Sequence, residues 1–265
     1  MGKIFDTHAH YDNEAFDCDR KELIAGLPEH GIGYVVNVGA SLSSSKRTLE
    51  LVEEYPFFYG AVGVHPSETA KLTEEGILFL QRAALKERIV AIGEIGLDYY
   101  WDKSERNVQK KWLVRQLDLA RKVQLPVIIH SRDAAQDTME ILKDQKADEI
   151  GGVIHCFSYS VEAAKVFLNM GFYLGIGGVI TFSNARKLRE VVEMAPFEQL
   201  VLETDCPYLA PVPNRGKRNS SLYLSYIVEE IARIKQVAYQ DVVEITFRNA
   251  EKLYRLKENK KMDYS

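Results

Sequence analysis

Eight short runs rich in β-branched and aromatic residues recur along the chain, at positions 3–10, 34–41, 57–66, 89–99, 126–132, 152–158, 172–181 and 200–207. Their starts lie on average about 28 residues apart, enough for a strand, a crossover helix and two loops. That regular alternation points to parallel strands. Amphipathic segments occupy 20–29, 43–54, 105–123, 134–143, 161–170, 186–194 and 222–234, with a last one at 240–256; none is assigned between 67 and 88. In the longest, Val108, Trp112, Leu113, Leu117, Ala120 and Val123 share one broad face. Leu125-Pro126 then stops it, because the residue before proline avoids the helical region. The 265 residues fit the ~250 that one (β/α)₈ barrel commonly takes, and no Pro/Ser-rich linker divides them. The expected architecture is an α/β fold, a distorted TIM (β/α)₈ barrel in a single domain over residues 1–258, followed by a polar tail at 259–265.

Composition narrows the function classes. With 46% hydrophobic and 27% charged residues, the chain can bury a core, which excludes disordered, collagenous and coiled-coil proteins. The longest nearly uncharged stretch, 171–182, is well short of the ~18–20 residues that span a bilayer. Three cysteines without a Cys-x-x-Cys pair encode neither a disulfide framework nor a zinc ribbon. No basic-then-apolar leader run precedes Asp6 and His8, so a cytoplasmic location is expected. The net charge of −4 argues against a broad polyanion-binding surface and confines any phosphate contact to a local site.

Five of the eight runs end in metal-ligand candidates: Asp6-Thr7-His8-Ala9-His10, Gly93-Glu94, Ile129-His130, Ile154-His155 and Thr204-Asp205. In a barrel these ends meet at one mouth, where active sites of this fold lie. Alternation along a strand places His8 and His10 on one face with Asp6 a layer deeper. A His-x-His pair alone is weak, since composition produces one in roughly one sequence in ten of this kind; its force comes from the Glu, His, His and Asp that follow at later strand ends. Four imidazoles and two carboxylates exceed the needs of one four-coordinate ion, so two divalent cations are expected, bridged by Glu94. Mixed nitrogen and oxygen ligands admit magnesium, manganese, zinc or cobalt. Asp205 is the candidate proton acceptor from a shared water, and Asp6 and Glu203 are candidates to orient imidazoles.

Other residues carry two readings. His65, in Gly63-Val64-His65-Pro66, either meets a substrate phosphate or leaving group at the same mouth or is a structural imidazole. Arg215, Lys217 and Arg218 cluster around Gly216 after the eighth run, as a phosphate site or as a solvated loop. Tyr99, Tyr100 and Trp101 either stack bases or cover the rim. His30, before Gly31, belongs to a helix C-terminus, and Cys156 and Cys206, each next to a ligand, are expected to pack on the opposite face.

These motifs, with Gly93-Glu94-Ile95-Gly96-Leu97-Asp98-Tyr99, Ile129-His130-Ser131-Arg132, His155-Cys156-Phe157-Ser158, Glu203-Thr204-Asp205, Arg215-Gly216-Lys217-Arg218-Asn219 and Asn249-Ala250 with Leu253, span nearly the whole chain. Together they resemble the TatD family of metal-dependent deoxyribonucleases, within the amidohydrolase superfamily. The resemblance implies divalent metals at His8, His10, Glu94, His130, His155 and Asp205, and 3′-to-5′ exonuclease action on DNA. One departure is that Ser220-Ser221 stand where the family often carries Glu-Pro. The expected enzyme hydrolyses a terminal phosphodiester of single-stranded DNA, with no membrane and no obligate protein partner. Two other readings are an amidohydrolase cutting a C–N or ester bond, and a non-catalytic metal-dependent nucleic-acid-binding module. Against the first, Glu94 stands where many such relatives carry a carbamylated lysine; against the second, every ligand is intact.

Overall fold

A computed structural model describes residues 2–256; the expected tail at 259–265 lies outside them. Eight strands form one parallel sheet in sequential order: β1 (Ile4–Ala9), β2 (Ile32–Val38), β3 (Phe58–Val62), β4 (Ile89–Asp98), β5 (Val127–Arg132), β6 (Gly152–Ile154), β7 (Tyr173–Ile176) and β8 (Leu200–Leu202). The helices are α1 (Arg20–Gly26), α2 (Leu42–Glu54), α3 (Glu74–Ala84), α4 (Arg106–Val123), α5 (Ala135–Asp144), α6 (Val161–Asn169), α7 (Arg186–Met194), α8 (Leu224–Lys235) and α9 (Tyr239–Leu253). The expected barrel is therefore present, and its distortion is specific. Between β8 and β1 a full ladder gives way to a single bridge from Ala9 to Cys206, supported by Asp205 N–H donating to His8 O and His10 N–H donating to Cys206 O.

Several strands are shorter than their sequence runs. The third stops at Val62 and Pro66 opens a 3-10 turn through Lys71. The eighth ends at Leu202, leaving Glu203-Thr204-Asp205 just past the last ladder bonds. Helix α3 fills the interval to which the sequence assigned none. Its entry is a local signal: the Thr73 hydroxyl accepts the Gly76 N–H, and Glu74 and Glu75 occupy the positive end of the helix dipole. The helix before β2 is shorter than its 20–29 segment. It gives way to a 3-10 turn over Pro28–His30 and ends on left-handed Gly31 (φ 83°). His30 there bonds the Gly26 carbonyl through Nδ1, in keeping with a structural role.

Phe5, Val36, Ala61, Ala91, Ile128, Val153 and Val201, one from each of seven strands, pack into one cluster with Ala250, Leu253 and Tyr254. This filled interior leaves no pore. Tyr254 and Arg255 close over the face where the strands begin. Tyr254 donates its hydroxyl to Thr7 O, and Arg255 donates to Gln124 O and Ile150 O in the loops that lead into β5 and β6. All functional side chains considered below are therefore served from the opposite face. Among the described residues, no helix is long and apolar enough to cross a membrane.

Candidate metal centre

Glu94, on β4 and nearly buried, is the hub of the open face. Its Oε1 lies 2.7 Å from His130 Nδ1, 3.1 Å from His155 Nε2 and 3.8 Å from His65 Nε2. Its Oε2 lies 3.7 Å from Nε2 of both His8 and His10. Asp205 completes the group, with Oδ1 3.3 Å from His10 Nε2 and 3.7 Å from His8 Nε2. Residues brought from β1, β4, β5 and the ends of β6 and β8 thus converge on one point, as the strand-end reading expects. Triads of ligand atoms that could hold an ion, each within 4.8 Å of one another, include His8-His155-Asp205, His8-His10-Glu94 and Glu94-His130-His155.

Protonation shows what this group is shaped to hold. His10 Nδ1 is 2.8 Å from the Val38 carbonyl, which can only accept. Nδ1 therefore carries the hydrogen, and in the neutral ring Nε2 offers a lone pair to the centre. That atom sits 3.1 Å from His8 Nε2, and the His8 and His155 rings stack at 3.8 Å. Burial and the neighbouring His155 hold His8 well below the usual histidine range. Burial also opposes the charged forms of His10, His130 and His155. It is outweighed by Asp205 and Glu94 at His10, raised to about 9, by Asp98 and Glu94 at His130, and by Glu94 and Glu203 at His155. Glu94 is buried, yet His155 and His130 keep it well below the ordinary carboxylate range. Without cations, protons supply the positive charge that these carboxylates demand. Several imidazole nitrogens crowding two acids fit divalent cations in place of those protons.

His65 differs from the other histidines. Its Nδ1 accepts the Ser67 N–H at 3.1 Å, so the neutral ring carries its hydrogen on Nε2, facing the cluster as a donor. Burial and His130 push its pKa down to about 3, so it is neutral at ordinary pH.

The supporting residues divide. Glu203, fully buried, accepts the Cys156 N–H and lies 3.3 Å from His155 Nδ1, although off the hydrogen-bond line. Asp6 is turned elsewhere: a register shift in β1 between Asp6 and Ala9 breaks simple alternation. Its carboxylate accepts from Thr204 N and Oγ1, Ser221 Oγ and the His8 amide. Burial still pushes it up to about 7. Ser221, at the position of the departure from the family pattern, thus serves as a donor to Asp6.

A cleft of about 660 Å³ opens over the cluster, lined also by Arg47, Trp101, Lys103 and Arg132. The basic loop lies outside this lining. Arg218 pairs with Asp19 at 2.6 Å, Arg215 stacks on Phe182 at 4.5 Å, and Lys217 is exposed. Tyr99 is also outside, tied by its hydroxyl to Asp137 at 2.5 Å under the Arg106 guanidinium. Cys206 is buried, and burial lifts the Cys156 thiol to about 12, which suits packing and not chemistry. The sequence reading missed Asp98, whose Oδ2 is 3.1 Å from His130 Nε2, and Arg132. Both carried the signal used for His10: Asp98 stands four residues beyond Glu94 on the same strand, and Arg132 two beyond His130. Arg47 and Lys103 carried none.

A β/α barrel whose strand ends gather imidazoles and acids around one carboxylate is the plan of a metal-dependent hydrolase. A family model described as TatD related DNase matches residues 5–255. The metal-dependent hydrolase YabD of Bacillus subtilis (strain 168) is 44% identical over 253 residues, covering 96% of this chain and 99% of that protein. A protein of Rahnella sp. (strain Y9602) named 3'-5' ssDNA/RNA exonuclease TatD is 32% identical over 259 residues, covering 96% and 98%. The crystal structure of YJJV, a TatD homolog from Escherichia coli K12, superposes with a TM-score of 0.90 at 30% identity, covering 95% and 98%. The chain belongs to the TatD family.

Proposed function

We propose that the chain is a deoxyribonuclease that removes nucleotides from the 3′ end of single-stranded DNA, using two divalent cations. The single observation that carries the two-cation reading is Glu94, whose two oxygens face different histidines, His130 and His155 on one side and His8 and His10 on the other. His8, His10, Glu94, His130, His155 and Asp205 would hold the ions. Magnesium, manganese and zinc all suit this donor set. Bound there, divalent cations supply Lewis-acid polarisation of a phosphoryl oxygen and a water of lowered pKa.

The chain's own groups do the rest. Asp205, the more open of the two acids, stands at the cleft and accepts the proton of the attacking water. His65 directs Nε2–H into the cleft, where it donates to a phosphate oxygen or the leaving group. Asp98 holds His130 from behind, and Glu203 lies against His155. The name of the Rahnella relative supports the polarity and the single-stranded preference. The net charge of −4 suits a grip on one phosphate better than a long duplex footprint.

The test is a time course on 5′-labelled oligonucleotides with free or blocked 3′ ends, with metal-stripped protein reconstituted with each ion. Ladders shortening only from free 3′ ends are expected. Glu94→Ala and Asp205→Asn should each lose activity while keeping a cooperative melt. Near-normal turnover by either variant contradicts the assignment.

A further inference from the structure

Two large aromatic side chains stand at the edge of the cleft, and the metal centre does not use them. Tyr100 and Trp101 are 55% and 58% exposed, on the turn directly after β4. Tyr99 beside them is partly buried against the core; these two rings are largely open to solvent.

They are nonetheless fixed. The backbone amides of Tyr100 and Trp101 both donate to Asp98 Oδ1, at 3.0 and 2.8 Å, while Asp98 Oδ2 holds His130. One carboxylate therefore ties the aromatic turn to a histidine of the metal cluster. The Arg132 guanidinium, from the end of β5, lies 4.0 Å over the Tyr100 ring and 5.8 Å from that of Trp101. The two aromatic rings meet edge to face at 5.1 Å. Of the pair, Trp101 lines the cleft, together with Arg132 and Lys103. An exposed, braced π-face with two cations beside a hydrolytic centre is the chemistry that grips single-stranded nucleic acid, where stacking reads a base and cations follow the backbone.

We propose that Trp101, braced by Arg132 and Asp98, is a stacking platform for an unpaired nucleobase adjoining the phosphate that is cut. The inference rests on the nuclease reading above and narrows to Trp101 the base contact that the sequence offers for Tyr99, Tyr100 and Trp101 together. Stacking is indifferent to which base is present, so the platform selects for a base that is free of a partner, with little preference among the four.

The chain has two tryptophans, and Trp112 is buried in α4. Trp112→Phe therefore leaves Trp101 as the only indole, and its fluorescence reports binding independently of turnover. With Mg²⁺ present, a nuclease-resistant phosphorothioate oligothymidylate should quench it saturably. The same oligomer with abasic sites in its last three positions should bind about ten-fold more weakly and leave the emission unquenched. On cleavable oligonucleotides, the full protein should favour base-bearing over abasic 3′ ends by about ten-fold in kcat/KM. Trp101→Ala should bring that ratio close to one, and Trp101→Phe should restore most of it. Equal quenching by both oligomers, quenching by a blunt duplex as strong as by the single strand, or a preference that survives Trp101→Ala would each overturn the proposal. Base-dependent quenching without cleavage of any oligonucleotide would support the platform and count against the nuclease reading.

Discussion

Gly175 offers a way to disturb the proposed metal centre without touching any of its proposed ligands. A Cβ on this β7 residue would lie 2.1 Å from Glu203 Oε2 and 2.6 Å from its Cδ, against an ordinary contact of roughly 3.5 Å. In Gly175→Ala the Glu203 carboxylate must therefore retreat by on the order of 1 Å. Glu203 is fully buried, and its other oxygen holds the Cys156 amide beside His155 Nδ1. Its retreat withdraws the acid that lies 3.3 Å from His155 Nδ1, on the ring whose Nε2 faces Glu94. Overpacking of this kind costs about 1–3 kcal/mol of stability. If His155 holds a cation as proposed, withdrawing the acid beside it should lower metal affinity by about 10–100-fold, equivalent to about 1.4–2.7 kcal/mol. Calorimetric titration of Mn²⁺ or Zn²⁺ into chelated protein, alongside thermal melts, measures both. Adding Glu203→Asp shortens the acid by one methylene, makes room for the new methyl group and should recover part of the affinity. A folded Gly175→Ala protein with wild-type metal affinity would refute the claim that Glu203 positions His155.

Three further outcomes are expected. His65→Asn should lower turnover by about 10²-fold or more with calorimetric metal affinity unchanged, because Nε2 presents a hydrogen and not a lone pair; a loss of metal binding would make His65 a ligand. Tyr254→Phe removes one buried hydroxyl from Thr7 O and should cost about 1 kcal/mol, lowering the melting temperature by about 2–4 °C at normal activity. Asp6 has a folded pKa of about 7, above its ordinary 3.8, so its contribution is full below pH 4 and is lost as pH rises through 7. The stability of chelated wild type relative to Asp6→Asn should therefore fall between pH 4 and 7, and a constant or widening advantage would reverse the sign argued for Asp6.

The barrel and its cluster were legible because both rest on strong periodicities: strand spacing sets the fold, and a ligand at a strand end must reach the mouth whatever the loops do. Glu94, His130, His155 and Asp205, scattered over more than a hundred residues, are adjacent for that reason. Contacts decided by loops were not legible. Arg218 looks like a phosphate ligand in sequence, yet Asp19 satisfies it; Tyr99 and Trp101 are two residues apart, and only the turn fixed by Asp98 decides which meets the cleft. Asp6 failed for another reason, because the register shift in β1 turns its carboxylate toward Thr204 and Ser221. Helix α3 escaped notice although Thr73-Glu74-Glu75 marks its start.

The strap that Tyr254 and Arg255 draw across the strand beginnings backs a barrel already filled by side chains, so among the described residues the cluster is reached from the cleft side. In the exonuclease proposed above, a polymer could not be threaded through the barrel, and the shortened strand and the severed nucleotide would both leave by the side they entered.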